Sequence, residues 1–346
     1  MGNQVKLVLE NGKVFEGLSL ASQDIITGPV IVSRLQSSYL ETMTDPANFG
    51  TIVVSASPLL GNYGVNDEDF ESDNITVKAL ICHNYCETPA NFRSQESLNE
   101  FFNEKNKCLV TGVETRSLAQ ALREDGEMLG TIVPIDYPEQ KIKENFKNYK
   151  RQYPEITSKA LVVKTKNPKY QVLAIDYGIR NSLITLLKET GCNITVVRPD
   201  IKKSDLAKYK FDAIVLTSGV NEINESYLNN LKEFINDYPV LAEGIGAVYY
   251  LKAKGIQVKR LNTTLIIDNH GVKDLTRDKI FFPSFNLAYQ AVKVPKKLIS
   301  HFDEINEEAV GFKDEKAQAV FFELNNEPES QKIIKDFFKK GESVCR

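Results

Sequence analysis

The chain has 346 residues, 42% hydrophobic and 26% charged, the balance of an ordinary water-soluble globular protein and not of a disordered one. At roughly 150 residues per domain, this length implies about two domains. Lys and Arg number 43 against 46 Asp and Glu, a net charge of −3, which argues against nucleic-acid binding through a global basic field.

The N-terminal region reads as short strands. Lys6–Glu10, the turn Asn11-Gly12 and Val14–Gly17 form a hairpin pattern. Further strand-like runs are Val30–Ser33, Thr51–Ser55, Ile75–Cys82 and Leu109–Val113. Helical patterns cover Ser94–Glu104 and Ser117–Glu124, the second stopping before Gly126. The first 150 residues are therefore expected to form a mixed β/α domain. A helix near Gln140–Tyr149 follows, and its basic run Lys147–Arg151 is expected to be a solvated face. Residues 151–170 are expected to be a linker.

From residue 171 the rhythm changes. Apolar runs at Val172–Ile175, Ile194–Val197, Ala213–Leu216 and Pro239–Ala242 alternate with helical patterns near Asn181–Lys188, Tyr227–Asn236 and Tyr249–Lys254. That alternation predicts an α/β, doubly wound parallel sheet over 171–346. Ligands of such sheets sit beyond the carboxyl ends of the strands. The candidate loops are thus Asp176–Gly178, Thr217–Asn221 and Glu243–Gly246.

No run is apolar enough to span a membrane. The longest charge-free stretch, between Asp45 and Asp67, carries three glycines, three asparagines, two serines and a proline besides Pro46 and Ala47. The N-terminus resembles a strand and not an export signal. Five irregularly spaced cysteines (Cys82, Cys86, Cys108, Cys192, Cys345) suit reduced thiols. A cytoplasmic location is expected, without membrane or nucleic-acid partners.

The chemistry-bearing motifs are few. Gly244-x-Gly246 lacks the third glycine of a dinucleotide fingerprint, since Tyr249 stands there, and no phosphate-binding GxxxxGK[ST] loop exists. Cys82-His83-x-x-Cys86 has no second ligand pair, and strand alternation would split its first two members between faces. No metal site is expected. The strand–turn–helix at Ala242–Gly246 has the form of a nucleophile elbow, but its exposed residue would be Gly244. None of the histidines (His83, His270, His301) follows a late strand where a base would be expected.

Longer motifs carry a resemblance. Ser37-Ser-Tyr-Leu-Glu-Thr-Met-Thr-Asp-Pro46, Gly61-Asn-Tyr-Gly-Val-Asn66 with Glu71-Ser72, Asn91-Phe-Arg93, and Glu114-Thr-Arg-Ser-Leu118 with Leu122-Arg-Glu124 are similar to the small chain of carbamoyl-phosphate synthetase. The second half, from Val172 through Asp176-Tyr-Gly178 and Arg180-Asn181, resembles that family's class I glutamine amidotransferase domain. The resemblance implies a Cys-His-Glu triad that releases ammonia from glutamine for a large chain, which makes carbamoyl phosphate for arginine or pyrimidine synthesis. Here the triad positions hold Gly244, Asn325 and Glu327. The implied substrate-pocket positions are Ala47, Gly219, Asn221, Ile245, Val248, Asn286, Ala288 and Tyr289. Of these, Ala47 replaces a serine, Asn221 a glycine and Val248 a glutamine; Leu287 and Leu324 make the pocket more apolar.

The resemblance implies a large chain as partner, in a heterodimer or higher assembly. ATP and Mg are expected on that chain, and no cofactor on this one. The degenerate triad implies a pseudo-glutaminase that serves as scaffold or activator. Two alternatives stand beside it: a glutaminase with relocated residues, for instance Ser218 and Glu243, and a free-standing sensor using the remnant pocket.

Overall fold

The computed structural model describes residues 2–20, 25–35, 37–154 and 160–344; Cys345 and part of the expected linker lie outside them. The chain divides into two compact units, residues 1–154 with 262–266, and residues 155–261 with 267–346.

The first unit is a closed barrel. Its strands are β1 (Asn3–Leu9), β2 (Val14–Ser19), β3 (Ile26–Ser33), β4 (Ile52–Ser55), β5 (Ala79–Ile81), β6 (Cys108–Thr111) and β7 (Met128–Pro134). They run in the order β3-β4-β5-β6-β2-β1-β7, and β7 pairs back onto β3. Closure leaves no open edge among these seven strands. Period-two alternation divides their side chains between two cores. Val5, Leu7, Leu9, Val30, Ile52, Val54, Ala79, Ile81 and Ile132 meet in one cluster. The intervening Ile31, Val53, Leu80 and Leu109 pack in a second with Leu98, Phe101 and Phe102. Those three come from α2 (Leu98–Glu104), which follows α1 (Tyr39–Thr44) and precedes α3 (Thr115–Asp125) and α4 (Glu139–Asn148).

The Asn11-Gly12 turn forms as expected. Gly12 takes φ +87° and the Asn11 side chain accepts from the Lys13 N–H, the backbone that glycine permits in a tight hairpin. Other expectations need correction. The strand placed at Ile75–Cys82 is regular only over Ala79–Ile81, since residues 75–78 are held by loop contacts such as Thr76 to Met43 and Asp45. β7 was not foreseen. Nor was the return of Asn262–Ile266 to this unit, where Ile266 pairs in parallel with Ser33.

The second unit holds β8 (Leu161–Val163), β9 (Tyr170–Ile175), β10 (Cys192–Val197), β11 (Ala213–Leu216) and β12 (Val240–Glu243). The long strand β13 (Val258–Ile267) is followed by β14 (Val272–Asp274), β15 (Lys279–Phe281), β16 (Phe285–Ala291), β17 (Ile299–Asp303), β18 (Glu308–Lys313) and β19 (Ala317–Val320). The helices are α5 (Asn181–Glu189), α6 (Lys203–Leu206), α7 (Glu225–Lys232), α8 (Gly244–Ala253) and α9 (Pro328–Val344). One sheet runs β8-β10-β9-β11-β12-β19-β18-β17-β14-β15.

Its centre, β10-β9-β11-β12-β19, is parallel as expected. The remaining five strands pair antiparallel, so the sheet is mixed and not parallel throughout. β8 falls inside the expected linker and pairs with β10. The chain leaves β9 toward β10 and then returns past β9 to β11. The topological switch point therefore lies between the carboxyl ends of β9 and β11, the usual position of a ligand crevice.

Helix α8 begins at Gly244, five residues earlier than its apolar pattern suggested. Gly244-Ile-Gly246 is a poor helical sequence, but residues 244–251 are all buried. Packing on every side overrides propensity.

The barrel interior sets a strict limit at Gly130. A Cβ there would lie 2.4 Å from Val30 and 2.9 Å from Leu7. Gly130→Val is expected to destabilise the protein by about 1–3 kcal/mol through overpacking, read as a lower midpoint in urea unfolding.

Candidate active site

The site is built where β12 turns into α8. Glu243 is still extended, at φ −129° and ψ 155°. Gly244, the next residue, takes φ +52°. This left-handed backbone at the first helical residue is the strained turn of a nucleophile elbow. Two further glycines allow it. A Cβ on Gly246 would lie 2.4 Å from the Leu216 carbonyl oxygen, and one on Gly219 would lie 1.9 Å from that of Tyr177. These close approaches hold the β9, β11 and β12 loops together, with Thr217 Oγ1 accepting from the Tyr177 N–H at 3.0 Å.

The space in front of Gly244 is filled. A Cβ built on it would lie 2.5 Å from Ser218 Oγ and 3.1 Å from Ser218 Cβ. Ser218 is fully buried, and its hydroxyl has no hydrogen-bond partner among the described residues. Such a group normally carries a desolvation cost of about 1–3 kcal/mol.

Behind the turn lies a buried ion pair. Glu243 is 1% and Arg180 2% exposed. Arg180 Nη2 donates to both Glu243 carboxylate oxygens, at 3.2 and 3.0 Å, and to the Leu324 carbonyl at 3.2 Å. Arg180 Nη1 donates to Ser182 Oγ at 2.9 Å and stands 3.7 Å from Glu323. Glu243 also accepts from the Leu324 N–H at 2.7 Å and the Ser218 N–H at 3.4 Å. The pair thus ties the elbow to the loop after β19, where the family's catalytic histidine is implied. Glu243 is therefore salt-bridged and not solvated. In the sequence Arg180 stood only within the Arg180-Asn181 motif, with no role assigned to it.

The residues expected at the triad positions make separate local contacts. Asn325 is half-buried, and its Oδ1 accepts from the Glu327 N–H at 3.2 Å and from Ser330 Oγ at 3.5 Å. Its side chain is thereby committed to the entry of α9, as asparagine often is before a helix. Glu327 is exposed at that entry.

The implied pocket positions of this unit are partly assembled. Asn221 Nδ2 donates to the Asn286 carbonyl and Oδ1, each at 3.4 Å, and Asn221 Oδ1 accepts from the Ala288 N–H at 3.2 Å. These bonds fasten the loop after β11 to β16. Arg260 donates to the Asn221 carbonyl and lies over the Tyr289 ring, 5.7 Å from its centroid. Ile245 and Val248 are completely buried in α8. Ala47 belongs to the first unit, in the turn Pro46–Asn48, where its N–H donates to Asp45 Oδ1 at 2.8 Å.

A tyrosine pair escaped sequence reasoning. Tyr177 and Tyr249 stack with centroids 4.2 Å apart and planes 4° from parallel. Tyr249 OH accepts from the Asn224 N–H at 2.8 Å. The Tyr177 hydroxyl is buried and unpartnered among the described residues, and burial raises its pKa well above the usual phenol value. The only available signal was position, since Tyr177 lies in a strand-end loop and Tyr249 one turn into α8.

No histidine touches Gly244, Ser218 or Glu243. His270 Nε2 pairs with Asp303 Oδ2 at 2.6 Å. His301 is buried, edge-on to Phe281 and Phe322, and burial lowers its pKa to about 4 against the attraction of Asp274. His83 lies in the first unit against the Val113 carbonyl. Cys82 and Cys192 are buried, with thiols pushed up to about 12 by desolvation, as expected of inert structural cysteines. Among the described residues, no three His, Cys, Asp or Glu side chains cluster as a metal site, and no helix is long and apolar enough to cross a membrane.

Chemically, the elbow offers helix-start N–H groups, one hydroxyl without an adjacent base, and a carboxylate neutralised by Arg180. Nucleophilic catalysis requires a nucleophile and a base within hydrogen-bond reach, and these contacts supply no such couple.

Two outcomes follow. Arg180→Met leaves Glu243 buried without its cation and is expected to cost about 3–5 kcal/mol. Adding Glu243→Gln removes the orphaned charge but keeps an acceptor for Leu324, so the double variant should be more stable than Arg180→Met alone in urea unfolding. For His301, the folded pKa of about 4 lies below the ordinary 6.5. The unfolded chain therefore takes the proton first, and stability is lost as pH falls from 6.5 toward 4, by on the order of 3 kcal/mol. His301→Phe should flatten that part of the stability–pH curve.

Comparison with known proteins places these features in a family. Residues 7–132 match the carbamoyl-phosphate synthase small chain, CPSase domain, and residues 173–340 match glutamine amidotransferase class-I. The carbamoyl phosphate synthase small chain of Clostridium perfringens is 28% identical over 97% of this chain and 99% of its own length. That of Lactococcus lactis subsp. cremoris is 28% identical over 88% of this chain and 87% of its own. The pyrimidine-specific small chain of Bacillus subtilis is 28% identical over 99% of both. This chain belongs to the carbamoyl-phosphate synthase small-chain family and carries that family's two parts, the small-chain domain and a class I glutamine amidotransferase domain.

Proposed function

We propose that this small chain is a pseudo-glutaminase, which docks on a carbamoyl-phosphate synthase large chain as scaffold or activator while that chain uses free ammonia. The observation that carries the reading is the filled elbow. Gly244 supplies no nucleophilic atom, and the volume its side chain would enter is taken by the Ser218 hydroxyl. Three further features point the same way. Asn325 is turned to the entry of α9, Glu327 is exposed, and Arg180 and Glu243 bridge the elbow to the loop after β19. Removing triad members elsewhere lowers turnover by a factor of about 10⁶.

ATP and Mg²⁺ would be bound by the large chain, and the assembly would work in the cytoplasm as a heterodimer or higher complex. Membership of the small-chain family supports a large-chain partner in general. Whether the product feeds pyrimidine or arginine synthesis is a property of that partner's setting.

The test is ammonia release from glutamine by the purified chain with its large partner, alongside carbamoyl phosphate synthesis from ammonium. Synthesis from ammonium and none from glutamine is expected. Glutamine turnover of about 1–10³ per second would overturn the reading, and its loss in Ser218→Ala would assign the activity to relocated chemistry. Gly244→Cys alone is expected to restore nothing measurable, because the new side chain meets Ser218 and no histidine adjoins it.

A further inference from the structure

The first unit contains a cavity of about 470 Å³ lined by three arginines and one carboxylate. It is lined by Val32 and Arg34 at the end of β3, Ala56 after β4, one face of α3, and Glu127, Thr263 and Thr264. On α3 the lining residues Arg116, Ala119, Gln120 and Arg123 follow the i, i+3, i+4, i+7 spacing of a single helical face. The two arginines therefore stand two turns, about 10 Å, apart along the helix axis. Leu118 and Leu122 are buried, which fixes the rotation of the helix. Arg116 and Arg123 belong to the Glu114–Glu124 motif, for which the elbow chemistry gives no use.

None of the guanidinium groups of Arg34, Arg116 and Arg123 has a hydrogen-bond or ion-pair partner among the described residues. The single lining carboxylate, Glu127, accepts from the Thr264 N–H and Oγ1. Nearby Glu124 is held by Gln120. Three like charges around one concavity repel each other, and a cleft with apolar walls strengthens their field. Guanidinium forks match carboxylate and phosphate oxygens. The volume lies within the range of about 300–1,000 Å³ usual for small-molecule sites. Val32, Ala56, Ala119 and Leu122 supply the apolar part of the lining.

We infer that this cavity binds a small polyanion, a metabolite bearing phosphate or carboxylate groups, seated between Arg34 and the arginine face of α3. The site is independent of the elbow and does not require glutamine chemistry to be present or absent.

The test is calorimetric titration of the full chain with inorganic pyrophosphate at low salt. Saturable binding is expected, weakened at least about tenfold in Arg116→Gln/Arg123→Gln, with the melting temperature of the free protein unchanged because both residues are exposed. Absence of saturable binding overturns the inference, as does equal binding by the variant. A variant that keeps pyrophosphate binding but no longer copurifies with the large chain also overturns it, and assigns the arginines to an acidic surface of the partner. Should Arg116→Gln/Arg123→Gln melt early, Arg34→Gln, which lies in a loop, provides the same comparison.

Discussion

The backbone of the second unit must reverse from strand to helix at Gly244 in a left-handed conformation, and the neighbouring loops are arranged around that turn. Gly246 and Gly219 are glycines because carbonyl oxygens of Leu216 and Tyr177 occupy the positions their side chains would need. The residues that bring the three strand ends together form the turn of a nucleophile elbow. At the turn itself there is no side chain, and the adjacent Ser218 hydroxyl closes the gap. The scaffold that would present a nucleophile is thus maintained around a position that has none.

The Arg180–Glu243 pair explains how such an elbow stays rigid. A buried ion pair repays its desolvation only with good geometry and further hydrogen bonds. Here the carboxylate takes two backbone N–H groups besides the guanidinium, and the guanidinium reaches a carbonyl and a serine. Its contacts run to the elbow, to the loop after β11 and to the loop after β19, and the first and last of these carry the positions expected for a triad. The pair provides a structural tie in that place.

The two units differ in how their polar groups are used. In the second, half-buried asparagines fasten loops, as with Asn221 on β16 and Asn325 at the entry of α9. In the first, a set of arginines is left without partners around a concave surface. Unpaired charges of one sign in a cleft suit recognition better than stability, since their mutual repulsion is not offset by ion pairs.

The alternation of short apolar runs with helices was enough to place the parallel strands β9 to β12 and to direct attention to their carboxyl ends, because strand periodicity and strand-end loops are local properties. The absence of a reactive atom at position 244 was equally legible, since no fold can give glycine a side chain. Tertiary structure alone decided the rest. Arg180 and Glu243 are 63 residues apart, and nothing local announces their pairing. The return of 262–266 to the barrel, the antiparallel half of the second sheet and the stacking of Tyr177 on Tyr249 depend on long-range packing that periodicity does not encode. Whether Ser218 would be an idle loop residue or the group filling the elbow was likewise settled only when β11 and β12 were brought side by side.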